Sequence, residues 1–108
     1  MIDGFIASLG REAVSNPITE LVVYTVKNPA TATVARAMLP RILKAYDGFL
    51  AYEPLTSADK QATFVDIVRW RDLDSAKAAS ASIMSDVKAA GFMAEIDEVK
   101  FMDHLTAD

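Results

Sequence analysis

The chain is 108 residues long, with 52% hydrophobic, 8% aromatic and 24% charged side chains and no cysteine, the make-up of one globular domain. A domain of this size buries roughly 65% of its unfolded surface, enough for a core without cross-links, and the missing thiols exclude disulfide frameworks, zinc ribbons, thiolate nucleophiles and iron–sulfur ligation. Eleven basic against fifteen acidic residues leave a net charge of −4 with no basic block, which argues against a nucleic-acid partner, and no apolar run approaches the ~18 residues of a membrane span.

Residues 1–16 read as an amino-terminal arm or short helix ahead of a single domain over residues 17–108. Ile2, Phe5, Ile6 and Leu9 fall at helical spacing, with Asp3 near the start and Gly10 as a stop, so the expected arm either grips a partner or merely covers core or frays. It has neither the charged head and cleavage site of a signal peptide nor the arginine content of a transit peptide, and the expected location is the cytoplasm.

After Asn16-Pro17, residues Ile18 to Lys27 are β-branched and apolar on both parities, which predicts a strand covered on both faces. Asn28-Pro29 then opens a helix whose Val34, Ala35, Met38, Leu39, Ile42, Leu43 and Tyr46 follow the helical period, with a kink expected at Pro40. Asp47-Gly48 ends it. Phe49 to Thr56 is a second strand whose Pro54 suits an edge or a bulge. Ser57 to Gln61 turns the chain, and Ala62 to Arg71 is the third strand. Asp72 or Asp74 caps a second helix with a stripe of Leu73, Ala76, Ser80, Ile83, Val87 and Ala90, stopped by Gly91. A connection over Phe92 to Ile96 leads to a fourth strand, Asp97 to Leu105.

The order β-α-β-β-α-β is the ferredoxin-like unit, an α+β fold with two helices on one face of a four-stranded antiparallel sheet. The other face is apolar along the first and third strands and needs a cover, so a homodimer formed through the sheet face is expected.

The run Phe64 to Ala76, an aliphatic strand ending in Trp70 followed by a short polar turn and an Ala-rich helix, resembles the dimeric α+β barrel superfamily, of the antibiotic-biosynthesis monooxygenase type. The likeness spans about Ile18 to Leu105. It implies a homodimer with a pocket between sheet and helices in each subunit. Its members include cofactor-independent oxygenases of phenols and quinols, haem-degrading enzymes, isomerases and stress-responsive proteins. For the oxygenases it implies an amide four residues before the tryptophan, where this chain has Asp66, and a tyrosine soon after it, which Asp72 to Ala81 lacks. For the haem-degrading members it implies a histidine on the following helix, and the single histidine, His104, lies on the last strand instead.

Phe64, Asp66, Val68 and Trp70 share one parity of the third strand. A carboxylate amid apolar neighbours loses hydration and, unless paired, becomes a proton acceptor suited to a phenol, while Trp70 offers a flat wall for an aromatic ring. Asp66 and Trp70 are therefore the candidate catalytic residues, and Tyr24, Tyr52, Phe64 and Ser80 the candidate substrate-binding ones. The alternative is that Asp66 faces solvent or pairs with an arginine and Trp70 is core. Ala76 and Ser80, small residues on the inward helix stripe, mark either close helix–sheet approach or a void for a ligand. His104 reads as a solvated strand-end residue or a proton shuttle. One histidine and no cysteine support no metal cluster, and the sequence holds no phosphate loop, nucleophile elbow or calcium loop. The expected function is binding of a small apolar or aromatic molecule without a cofactor, by a monooxygenase of phenols or quinols or by a non-catalytic or stress-related dimer.

Overall fold

The computed structural model describes residues 16–108; the expected arm helix lies outside the described residues. The elements run β1 (Ile18–Val26), α1 (Pro29–Arg36), α2 (Leu39–Leu43), β2 (Phe49–Thr56), β3 (Thr63–Trp70), α3 (Leu73–Ile83), α4 (Ala90–Met93) and β4 (Ile96–Thr106). The four strands form one antiparallel sheet in the order β2-β3-β1-β4. This is the expected ferredoxin-like α+β arrangement, with β2 and its Pro54 at an edge, where a missing N–H costs no ladder bond.

Alternation along the strands sorts the sheet into two faces. Ile18, Glu20, Val22, Tyr24 and Val26 of β1 stand beside Phe64, Asp66, Val68 and Trp70 of β3 on the face under the helices. The core lies there: Tyr24, Phe64 and Trp70 are its largest fully buried side chains, packed with Leu39, Ile42, Leu43 and Phe92. Tyr24 meets both Phe64 and Phe92 edge-on at 5.9 Å between ring centroids, the geometry aromatic quadrupoles favour. In β4 the pairing with β1 shifts between Val23 and Tyr24, so Val99 and Met102, three residues apart, both come opposite inward-facing residues, Tyr24 and Val22.

Asn28 caps α1 as its side chain predicts, accepting from the N–H groups of Ala30 and Thr31 at 3.0 and 3.3 Å with Pro29 in the first turn. The helical segment is interrupted at Ala37–Met38, between α1 and α2, because Pro40 has no N–H to offer the Arg36 carbonyl four residues back. The interruption changes which side faces inward: Val34 and Met38, expected in the stripe, are exposed, while Ala32, Arg36, Leu39 and Leu43 are buried.

The second helical segment is shorter than its stripe suggests. It ends at Ile83; Val87 is exposed, and Gly91 lies inside the short α4 rather than ending a helix. Ser82, Ser85 and Asp86 supply the reason: Ser85 and Asp86 turn back onto carbonyls three residues behind, and Asp86 Oδ1 accepts the N–H of Lys88 at 2.9 Å. Short polar side chains that bond nearby backbone compete with the helix ladder. Among the described residues no helix is long and apolar enough to cross a membrane.

Gly48 joins the first helical segment to β2 with φ +84°, and its carbonyl accepts the N–H of Arg71 at 2.7 Å. A Cβ here would overlap the Ser75 side chain, whose backbone N–H is held at 2.8 Å by the α3 cap Asp72. Gly48→Ala combines that overlap with a left-handed backbone that costs an L-residue about 1–2 kcal/mol. The expected result is a fall of about 5 °C or more in thermal midpoint, followed by circular dichroism; an unchanged midpoint would contradict it.

Candidate functional site

Between the inner sheet face and the helices lies a cavity of about 360 Å³, a volume typical of small-molecule sites. Its wall is almost wholly apolar, built from Val22, Val68, Leu39, Leu43, Ile83, Phe92 and other aliphatic side chains. The polar groups that interrupt this wall are Glu20, Tyr24, Tyr52, Asp66, Trp70 and Ser80. Five of the six candidate residues named from the sequence, Asp66, Trp70, Tyr24, Tyr52 and Ser80, therefore line one space. Phe64 does not line it and packs beneath the guanidinium of Arg36, whose carbon sits 4.0 Å from the ring centroid.

Asp66 is central to the polar wall. The register sets Val22 of β1 and Pro54 of β2 opposite it, which makes Tyr24 and Tyr52 its diagonal neighbours from either side. Tyr24 donates its hydroxyl to Asp66 Oδ2 at 2.7 Å, and Tyr52 donates to Oδ1 at 3.0 Å. Arg36, in the last turn of α1, donates to Oδ1 at 3.1 Å in an ion pair whose two side chains are each 9% exposed. The same guanidinium reaches the Leu55 carbonyl and the Thr56 hydroxyl, each at 3.1 Å, and so ties helix to edge strand. Of the two readings of Asp66 open in the sequence, pairing with an arginine is the one realised, in the interior.

Burial, followed by the charge of Asp66 and the hydrogen bond to it, pushes both Tyr24 and Tyr52 far above the ordinary tyrosine range. Their hydroxyls stay protonated as donors to Asp66 and keep lone pairs with which to accept from a ligand. Tyr46, the remaining tyrosine, does not line the cavity. It bonds Asp86 at 2.6 Å, and burial plus that bond raises it to about 12.

A second carboxylate, absent from the sequence-derived candidates, lies on the same wall. Glu20 is buried at 9% exposure, with Oε1 accepting the Trp70 indole N–H at 2.8 Å and Oε2 accepting the Ser80 hydroxyl at 3.3 Å. The indole ring also meets Phe49 edge-on at 5.9 Å, so the face Trp70 turns to the cavity is held from two sides. Glu20 shares parity with Val22 and Tyr24, and the alternation test that singled out Asp66 on β3 identifies it on β1. Arg36 carried a fainter signal, a lone basic residue at the inward phase of a short helix.

Ala76 and Ser80 divide the two readings of the small-residue stripe. Ala76 is wholly buried in close contact with the sheet, whereas Ser80, a turn later, lines the void. His104 stands opposite Glu20 in the β1–β4 register, half-buried, and does not line the cavity. No cluster of potential metal ligands occurs among the described residues.

All three tyrosines are raised above 10, so each contributes stability that is present below the unfolded-state value near 10 and is lost as pH climbs through the folded one. Near pH 10 the native protein should show little phenolate absorbance where the denatured chain is about half ionised, and Tyr24 and Tyr52 should ionise only with alkaline unfolding. A native titration curve matching that of the denatured chain would refute the assigned hydrogen bonds.

No family model and no curated protein sequence matches the chain. Solved structures do. SnoaB, a cofactor-independent oxygenase from Streptomyces nogalater, matches with a TM-score of 0.70 at 21% identity over 87% of this chain and 95% of that one. An antibiotic-biosynthesis-monooxygenase-like protein of Bordetella bronchiseptica matches with a TM-score of 0.74 at 14% identity, over 87% and 99%. A third, from Caulobacter crescentus, gives 0.68 at 14% identity, over 88% and 92%. At such identities the shared property is the backbone, and a shared backbone does not by itself transfer an activity. The chain carries the ferredoxin-like α+β fold of these antibiotic-biosynthesis-monooxygenase-like structures.

Proposed function

We propose that this protein is a cofactor-independent monooxygenase that oxidises a phenol or quinol-type aromatic in the cavity between sheet and helices. The observation that carries the reading is the placement of two tyrosine hydroxyls, both bonded to buried Asp66, on an otherwise apolar wall. The fold shared with the oxygenase SnoaB supports it.

In this scheme the ring lies against Trp70 and its hydroxyl donates to Tyr52 or Tyr24. The substrate proton passes to the tyrosine oxygen as the tyrosine proton passes to Asp66, and a phenolate results. The phenolate ring gives two electrons to dioxygen, forming a carbon–oxygen bond and a ring peroxide. Asp66 returns its proton through the tyrosine to the peroxide, the oxygen–oxygen bond breaks, and loss of the ring C–H proton with hydroxide leaves a quinone and water. Phenol plus dioxygen gives quinone plus water, with the substrate as the source of both electrons. In this scheme the tyrosines serve as neutral relays and the Asp66 carboxylate, held in place by Arg36, as the proton's temporary store.

The same Arg36–Asp66 pair supports a second reading, a non-catalytic or stress-related dimer that binds a small molecule, since a carboxylate with three donors is already satisfied structurally. Oxygen uptake over a panel of di- and trihydroxylated aromatics separates the two. Monooxygenation predicts uptake above autoxidation, reduced about a hundredfold in Asp66→Asn and less severely in Tyr52→Phe, with folding verified by circular dichroism. Retained aromatic binding with no uptake would favour the non-catalytic reading.

We assign the working form to a cytoplasmic homodimer joined through the outer sheet face. Leu21, Val23, Val65 and Ile67 form a central strip there, continued by Leu55 on β2 and by Phe101 on β4, both well exposed. Such a contiguous apolar strip is uncommon on a monomer. Sedimentation velocity at micromolar concentration should give a dimer, and Ile67→Lys with Phe101→Lys should give a folded monomer; a wild-type monomer would overturn the assignment.

A further inference from the structure

We infer that Glu20 is a second polar anchor of the cavity, and that it makes the site accept a neutral aromatic with hydroxyl groups at two places while rejecting one that bears a carboxylate. The inference rests on the reading of the cavity as a ligand site.

Three observations converge on it. Glu20 is buried on the cavity wall with neutral donors alone: the Trp70 indole at 2.8 Å, and Ser80 at 3.3 Å, beyond the about 2.5–3.0 Å of a good hydroxyl bond. A carboxylate has about four acceptor positions, so Oε2 in particular has capacity to spare. Among the described residues no arginine, lysine or histidine lines the cavity; the guanidinium of Arg36 is taken up by Asp66, Leu55 and Thr56 behind the wall. His104 faces Glu20 across the β1–β4 pair, yet no hydrogen bond joins them, and among the described residues His104 Nε2 is buried without a partner. Among the described residues, then, Asp66 has its cation in Arg36 behind the wall, whereas Glu20 has neutral donors alone.

The two carboxylates sit at different places. Glu20 lies opposite Val68 and Asp66 opposite Val22, a diagonal cross-strand relation that sets the two residues about 7–8 Å apart, their Cβ atoms somewhat closer. One ring can reach both, with one hydroxyl on the Tyr24–Tyr52–Asp66 group and another on Glu20. A hydroxyl given to Glu20 supplies a donor to the spare acceptor capacity of its carboxyl group, whereas a ligand carboxylate would be desolvated beside that group in an apolar space with no cation to pair with.

The test is calorimetric titration under argon, where no turnover occurs, with naphthol, naphthohydroquinone and a carboxylated naphthohydroquinone. Wild type should bind the hydroquinone more tightly than naphthol and the carboxylated form about tenfold or more weakly than the hydroquinone. Glu20→Gln should bring the hydroquinone and its carboxylated form to within about threefold of each other. Should that variant not fold, Ser80→Ala, which frees Oε2, should widen the advantage of hydroquinone over naphthol. Equal or tighter binding of the carboxylated ligand by wild type would overturn the role of Glu20, as would a ratio unmoved by either variant. No binding by any of the three would overturn the cavity reading itself, so the two failures are told apart.

Discussion

The ion pair between Arg36 and Asp66 is the contact on which the site's arrangement depends. A carboxylate this deep would be intolerable alone; with the guanidinium and two hydroxyls around it, every strong electrostatic demand is met. Removing one partner of such a pair leaves the other buried and uncompensated, typically at about 3–5 kcal/mol, a large part of what a domain of this size has to spare. The pair also joins elements far apart in sequence. Asp66 is on β3, Arg36 at the end of α1, the hydroxyls come from β1 and β2, and the remaining guanidinium bonds end on β2. The polar edge of the cavity is thus held by charge, and the apolar remainder by packing.

That dependence explains where the sequence could be read and where it could not. Strand limits, the antiparallel order and Pro54 at an edge follow from alternation and turn chemistry, because each strand announces its own two faces. The first helical segment was harder. Its apolar residues suggested a stripe through Val34 and Met38, but Arg36 turns inward to meet Asp66, and Pro40 interrupts the ladder close by. Hydrophobic periodicity carries no information about a polar residue buried for the sake of a partner on another element. The second segment ends early for a local reason, since the side chains of Ser85 and Asp86 bond nearby backbone groups and stop the helix before Val87.

The site was legible to the same degree. Asp66, Trp70, Tyr24 and Tyr52 share a face by parity, and parity survives folding. Glu20 has the same parity on β1 but falls early in a strand whose apolar residues dominate its reading. Its partners, Trp70 and Ser80, are 50 and 60 residues away, a relation only the register can reveal. Phe64 shows the converse limit: it has the right parity, but it sits where Arg36 covers it, and so supports the ion pair instead of the cavity.

The small residues of α3 complete the picture. Ala76 is wholly buried in the core, a side chain small enough for helix and sheet to approach, and one turn later Ser80 lines the cavity without filling it. A leucine at that position would fill the void and strip Glu20 of its second donor. Ser80 instead leaves space and supplies a hydroxyl, a combination that fits a wall meant to stay partly open. The buried carboxylates follow the same logic, since an acid facing a void is costly in a domain built only for packing and useful in one that must hold a hydroxylated ligand. An ordinary ferredoxin-like core would close over such a gap with aliphatic side chains. Here the gap is kept open, and its polar groups are grouped around two acids.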